Sequence, residues 1–387
     1  MAIRARRWLW AAAIVAVLLV LLKALVFGLY HVDTASMEPT IQGSQGGERV
    51  LVLYGGSAPR RFDLVVALRA GEETPLVKRA AALPGEHVQV VDGDLLIEGK
   101  RLPPEAPRPR PIPVFDERWQ DPEHGFRATA EGGAAWQRLN GEWRLDARAS
   151  GASGELALVS DVRDSYLDAQ HALVTGETSV NDLALECELQ TGAAGTRAHL
   201  GLSEQGDRFE LELEVQAGGK LGARMVRRGV ETAELGACEL ALGAGTWHRV
   251  RFSNLDNALC FELDGTRRLV ASYAQNRLAP EDRLQEGRNY LPRAWLGGAA
   301  GALAVRGLRL ERDLYYTPRG GFATQGALSL GPDEYFLLGD NSASSRDGRE
   351  WGPTLERELV GRPLWIVWPL SHARALEGAV PPPALAR

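Results

Sequence analysis

The sequence predicts a mainly β protein. It has an N-terminal transmembrane helix, a β-fold core carried in two sequence blocks, and an antiparallel, jelly-roll-like β-sandwich inserted between the blocks. Three observations lead there. Short runs of β-branched or alternating residues, parted by glycine and proline turns, fill 48–98 and return near the C-terminus. From about Phe115 to Arg312 the runs alternate apolar and polar with no helical stretch between them. Ahead of everything lies a long apolar run behind a basic cluster.

The chain's 387 residues exceed one ordinary domain, and a 45% hydrophobic content is enough for packed cores. A net charge of −6 argues against a general nucleic-acid binder. Cys187, Cys238 and Cys260 are far apart, odd in number and without C-x-x-C spacing. They indicate neither a disulfide framework nor a zinc site, and each sits in a strand-like apolar stretch as a buried free thiol.

The basic cluster is "RARR", Arg4 to Arg7, and the apolar run is Trp8 to Tyr30, interrupted at Lys23. About 20 apolar residues cross a bilayer. A cleaved signal peptide has a shorter core, and Trp8 to Leu22 alone would fit one. The apolar character resumes through Tyr30, which favours an uncleaved anchor. After it the first basic residue is Arg49, preceded by Asp33, Glu38 and Glu48. The positive-inside rule puts residues 1–7 in the cytoplasm and everything beyond Tyr30 outside, on a single-pass protein of the cell (inner) membrane.

Downstream, Arg49–Tyr54, Asp63–Leu68, His87–Val91 and Asp94–Gly99 read as strands. The prolines of Arg101–Val114 favour an extended connector. Then "LALECELQ" puts Leu183, Leu185, Cys187 and Leu189 on one face. "RFELELEVQ" sets Phe209, Leu211, Leu213 and Val215 against Glu210, Glu212 and Glu214. That period of two marks strands with one wet face. Asp264-Gly265 signals a hairpin. The expected division is therefore 31–114 and 313–387 for the core and 115–312 for the inserted sandwich, whose late strands resemble laminin-G or concanavalin-like jelly rolls. Trp119, Trp136, Trp143 and Trp247 could stack on sugar, although core tryptophan is the commoner fate.

Three segments carry chemistry. "DTASMEPT" places Ser36 just beyond the apolar run, without a G-x-S-x-G elbow. A nucleophilic serine needs a base: a histidine, of which His31 and His87 are nearest, or a lysine kept neutral by desolvation. In "TPLVKRAAALPGE", Lys78 lies among Leu76, Val77 and alanines, although this segment alone favours a surface lysine snorkelling off an edge strand. "GDNSASSRDGREWG" crowds polar residues between strand-like flanks. A serine there could orient the amine, and an Asp–Arg pair could brace the loop.

Together these segments resemble the type I signal peptidases, membrane-anchored Ser/Lys peptidases of the S26 family. "SMEPT" is similar to their S-M-x-P-T, "RFDLVVAL" to the strand that follows, "VKRAAALPGE" to K-R-x-x-x-x-P-G-[DE], and "GDNSASSRDGR" to G-D-N-S-x-x-S-x-D-[SG]-R. Phe62 stands where glycine is common, and Gly348 where serine is common. The resemblance implies the signal-peptidase β fold for the core, Ser36 as nucleophile and Lys78 as general base. It implies that Ser345 hydrogen-bonds the lysine, that Asp347 and Arg349 brace the loop, and that Thr34 assists the oxyanion hole. Met37, Ile41, Leu76 and Val77 fall near shallow pockets for small side chains. It also implies cleavage of signal peptides from exported preproteins after small residues at −3 and −1, lipid as neighbour, and no metal or cofactor. The sandwich would bind glycan or protein, or shield the site. Self-cleaving stress-response repressors share the dyad but lack the anchor and the last motif. The non-enzymatic alternative is a membrane-anchored glycan- or protein-binding module with an inert peptidase core.

Overall fold

The computed structural model describes residues 10, 14–15, 20, 25–129, 132–204, 206–229, 232–241, 245–274, 292–378 and 380–385. They fold into two compact units. One is the chain up to Arg101 together with Tyr316–Val380; the other is Leu102–Tyr315 with Pro381–Arg387.

The first unit is built on an antiparallel sheet. Its strands run in the order Phe27–Val32, Glu48–Tyr54, Leu359–Trp368, Leu64–Ala67, Leu76–Ala82, Glu334–Leu338, Thr354–Leu355. The two sequence blocks interleave, because the long strand Leu359–Trp368 sits between Glu48–Tyr54 and Leu64–Ala67. Val32, Val50, Val52, Leu64, Val66, Val77 and Ile366 pack with Met37 and Ile41 as one apolar cluster. Val65, Ala67, Ala80, Tyr335 and Leu337 form a second. The alternation read from the sequence thus buries both faces of Leu64–Ala67 and Leu76–Ala82. His87–Val91 and Asp94–Ile97 form a separate small sheet.

The expected membrane helix over 8–30 lies largely outside the described residues. Trp10, Ile14, Val15, Val20, Leu25 and Val26 within it are helical. Among the described residues no helix is long and apolar enough to cross a membrane. The end of the expected anchor is corrected: Phe27–Tyr30 opens a strand, paired from Phe27↔Leu53 to Val32↔Glu48. A partner strand satisfies this backbone, and Gly28 lets the Tyr54 ring lie against it; a Cβ there would sit 2.3 Å from the Tyr54 hydroxyl.

Among the described residues the second unit is a sandwich of two antiparallel sheets, of eight and seven strands, around one core. Leu183, Leu185, Cys187 and Leu189 face that core, as do Phe209, Leu211, Leu213 and Val215. Glu210 and Glu212 turn outward to Arg228 and Arg224. Asp264 and Gly265 both take positive φ, 52° and 74°, as a type I′ hairpin requires. Ile112–Asp116, at the end of the proline-rich segment, is a strand of this unit and pairs with Ala302–Arg312. Trp136 and Trp143 are core residues, Trp247 is partly buried under Arg306, and Trp119 is 55% exposed. All three cysteines are free; Cys187 is buried, whereas Cys238 and Cys260 are half-buried.

Candidate active site

Ser36 lies in a single 3-10 turn, Ala35–Met37, entered from the extended residue Thr34. The turn is held from both sides. The Met37 side chain is fully buried in the core, and Glu38 accepts hydrogen bonds from the Gly43 and Ser44 amides. Ser36 itself is buried. Its Oγ is 3.2 Å from the Thr34 hydroxyl, and its carbonyl accepts from the Asn341 amide at 3.1 Å. The second block's polar loop is thereby tied to the serine's backbone.

Lys78 projects from Leu76–Ala82, opposite Val65. It is only 2% exposed, and its Nζ donates to the Ser345 hydroxyl at 3.3 Å. Burial, the largest influence, pulls its pKa from 10.5 down to about 8, against the opposing charges of Asp347 and Asp340 and with help from Arg349. About a tenth of the amines are then neutral at pH 7. Lys78 is therefore not the snorkelling surface lysine that its segment alone favoured.

Gly339 joins the parts. A Cβ at this position would fall 2.2 Å from the Ser345 hydroxyl and 2.5 Å from the Ser36 carbonyl. A single methyl group would strike both, so only glycine lets the lysine's partner and the serine's backbone close up. The Gly339 amide in turn donates to Asp347 at 3.0 Å.

Asp347 and Arg349 brace this arrangement from below. Both are buried, joined through Arg349 Nε to Asp347 Oδ1 (2.9 Å) and Nη2 to Oδ2 (2.8 Å). Arg349 also donates to the Thr317 hydroxyl and carbonyl and to the Ser342 hydroxyl and carbonyl. Its guanidinium is thus saturated without water, the condition on which a buried ion pair is tolerated.

The four pocket residues fall in two groups. Met37 and Ile41 are wholly buried among Val32, Val50 and Ile366. Leu76 is half-buried and Val77 nearly buried, on the lysine strand. On one side Leu76–Lys78 pairs with Val65–Ala67. On the other side the pairing with Glu334–Leu338 ends at Leu338↔Arg79. Among the described residues, one backbone edge of Leu76–Lys78 therefore remains unpaired, and no group of His, Cys, Asp or Glu could hold a metal ion.

The family model for signal peptidases, peptidase S26, matches residues 5–172 and 309–368, more than half of the sequence. The chain belongs to this family. It is 32% identical over 118 residues to signal peptidase I of Bacillus caldolyticus, covering 30% of this chain and 62% of that protein. To signal peptidase I of Bacillus licheniformis it is 36% identical over 99 residues, covering 24% and 51%. The chain thus spans roughly half of the curated relatives it matches. Among solved structures, carbohydrate-binding module CBM66 from Bacillus subtilis aligns with a TM-score of 0.32 and 7% identity, covering 48% of this chain and 95% of that one.

This S26 member departs from the family pattern at two places, and both have a structural reading. Phe62 takes φ 64°, a region that favours glycine, yet its ring is 4% exposed and its carbonyl accepts from Arg79. Side-chain burial offsets a backbone cost of about 1–2 kcal/mol. A Cβ on Gly348 would lie 2.8 Å from the Leu337 carbonyl and 3.0 Å from the Phe336 ring, so a serine there requires this neighbourhood to shift.

Sequence reasoning missed Arg79 as a site residue. Its Nε and Nη2 reach the two oxygens of Asp340 at 2.8 and 2.6 Å, both residues being buried. Asp340 also accepts from the Thr40 hydroxyl at 2.5 Å. One ion pair therefore ties the residue after the lysine, the residue after Gly339 and the end of the serine motif. The only signal was the charge of two neighbouring motif residues, in segments far apart in sequence.

Proposed function

We propose that this chain is signal peptidase I: a serine endopeptidase with a Ser36–Lys78 dyad that removes signal peptides from exported preproteins. The observation that carries this reading is the buried, pKa-lowered Lys78, hydrogen-bonded to Ser345, whose hydroxyl and the Ser36 carbonyl both lie close against the bare Cα of Gly339. An extended preprotein segment pairs along the free edge at Leu76–Lys78, and small side chains at −3 and −1 meet Leu76 and Val77, with Met37 and Ile41 buried in the cluster that includes Val77. Neutral Lys78 takes the Ser36 proton as Oγ attacks the scissile carbonyl, and the Ser36 amide and Thr34 hydroxyl receive the oxyanion. The ammonium of Lys78 then protonates the leaving amine. The same amine, neutral again, activates water to release the acyl group from Ser36.

The test is cleavage of a preprotein bearing an A-x-A site by the full chain, beside Ser36→Ala and Lys78→Ala. Cutting after the last alanine, lost in both variants, is the expected result. A folded chain that leaves a validated substrate whole would instead favour a binding protein with an inert core. Thr34→Val is expected to slow cleavage by about two to three orders of magnitude without changing the cut site, because one oxyanion donor is lost. An unchanged kcat would remove Thr34 from the oxyanion hole.

The reading includes a membrane anchor. The apolar run behind Arg4–Arg7 anchors the chain with its N-terminus in the cytoplasm and the dyad at the outer face. On the first unit, Leu29, Leu51 and Trp365 follow one another across three strands, and Leu29, Trp365 and Trp368 are 49%, 50% and 54% exposed. Such rings suit an interface with lipid headgroups. Alkali-resistant retention of the full chain in the membrane fraction, and release of a chain starting at Phe27, checks the anchor. Release of both would overturn it.

A further inference from the structure

On the peptidase reading, we propose that Glu38 and Gly43 are positioning residues for the oxyanion hole: together they fix the backbone of Thr34, whose hydroxyl is one of its two donors. Thr34 is exposed to solvent and extended, at φ −117° and ψ 147°. Burial of its own side chain therefore does not hold it in place. Its hydroxyl nevertheless lies 3.2 Å from Ser36 Oγ. The hold comes from Gly43. A Cβ there would fall 1.9 Å from the Thr34 carbonyl oxygen, 2.5 Å from its carbonyl carbon and 2.7 Å from its nitrogen. Gly43 thus packs bare against the Thr34 backbone. Its φ lies outside the left-handed region, so this contact, rather than the backbone conformation, requires glycine.

Gly43 belongs to a loop that buried carboxylates hold. Glu38 is 1% exposed, and its Oε1 accepts from the Gly43 amide (2.9 Å), the Ser44 amide (2.8 Å) and the Ser44 hydroxyl (2.7 Å). Glu48, equally buried, takes the preceding amide, that of Gln42, at 2.9 Å on Oε2, while its Oε1 meets His372. The successive amides of residues 42–44 thus end on charged acceptors shielded from water, the strong kind of hydrogen bond. Glu38 follows Met37 directly, so the turn that carries Ser36 and the loop that backs Thr34 share one anchor. Of the two surfaces that touch at Gly43, the loop is fixed and Thr34 is exposed. A side chain at 43 therefore displaces Thr34. Misplacing a catalytic group by about 1 Å costs up to about a hundredfold in rate.

The test is a double-mutant cycle on cleavage of an A-x-A preprotein by the full-length protein in micelles: wild type, Gly43→Ala, Thr34→Val and both together, in chains that circular dichroism shows to be folded. Gly43→Ala is expected to lower kcat about ten- to a hundredfold. KM should stay within about threefold, because the preprotein pairs at Leu76–Lys78 and not at this loop. The acid limb of the pH profile should not move, because Lys78 keeps its surroundings. In the Thr34→Val background the same change should cost less than about threefold. A purely structural defect costs the same in both backgrounds, and that result, or an unchanged kcat in Gly43→Ala, would overturn the proposal. So would a Thr34→Val variant that cleaves at the wild-type rate. If Gly43→Ala does not fold, Glu38→Gln decides in the same two backgrounds. It keeps the shape and an acceptor but not the charge, and its loss of kcat, about threefold or more, should likewise disappear without the Thr34 hydroxyl. A wild-type chain that leaves the validated substrate whole would bring down the peptidase reading and this inference with it. A wild-type chain that cuts, while the losses in the cycle simply multiply, would bring down the inference alone.

Discussion

Lys78→Met is expected to abolish cleavage and, at neutral pH, to make the protein more stable. Folding takes the Lys78 amine out of water and lowers its pKa from 10.5 to about 8. Between those values the unfolded chain binds more protons than the folded one, so stability rises with pH through that window. Below pH 8 the full cost is carried, of order 3 kcal/mol as an upper bound. Methionine has a similar reach and no charge to desolvate. Its gain in melting temperature should be largest at pH 7 and fade as pH approaches 10. A variant that melts lower than wild type at pH 7 would sink this account, because the amine would then be stabilising the fold.

The same lowered pKa fixes the pH dependence of the wild-type reaction. kcat/KM reports the free enzyme, and in the proposed reaction only the neutral amine accepts the Ser36 proton. Below pH 8 the rate constant should rise about tenfold per pH unit and flatten above it. A profile already flat from pH 7 would point to a histidine. In the proposed reaction fold stability and proton acceptance thus pull Lys78 in opposite directions, and the buried carboxylates of Asp347 and Asp340 limit the conflict by holding its pKa up.

Much of the fold was legible because one face of each strand is wet. Phe209 to Val215 alternates so cleanly that its inward and outward sets are read without coordinates. Phe27–Tyr30 was misread for the opposite reason. Phe, Gly, Leu and Tyr serve as well at the end of a membrane helix as in a strand, and only the partner Glu48–Tyr54 decides. The polar loop after Gly339 was legible as a cluster but not as a geometry. Its motif names Ser345, Asp347 and Arg349, yet nothing local says that Gly339 must be bare so that Ser345 and the Ser36 carbonyl can both approach it. In a strand, alternation places Arg79 on the opposite face from Lys78. In the folded chain both sides of that strand are buried, and Asp340 waits on the other side.

Asp347→Ala is expected to cost about 3–5 kcal/mol, because it leaves the guanidinium of Arg349 buried without its counter-charge. The Gly339 amide loses its acceptor at the same time, at the residue against which both Ser345 and the Ser36 carbonyl pack. Urea unfolding followed by circular dichroism checks the first consequence; a loss under about 1 kcal/mol would mean that Arg349 is held by its carbonyl and hydroxyl partners alone. Replacing the pair together, Asp347→Leu with Arg349→Met, should recover much of the stability and none of the cleavage, since a packed apolar pair removes the stranded charge but not the need to place Ser345. Asp347→Asn separates placement from charge. It keeps an acceptor for the Gly339 amide while removing the carboxylate that raises the Lys78 pKa. Its remaining activity should therefore show an acid limb displaced to lower pH than wild type, and an unmoved limb would deny Asp347 any electrostatic hold on the lysine.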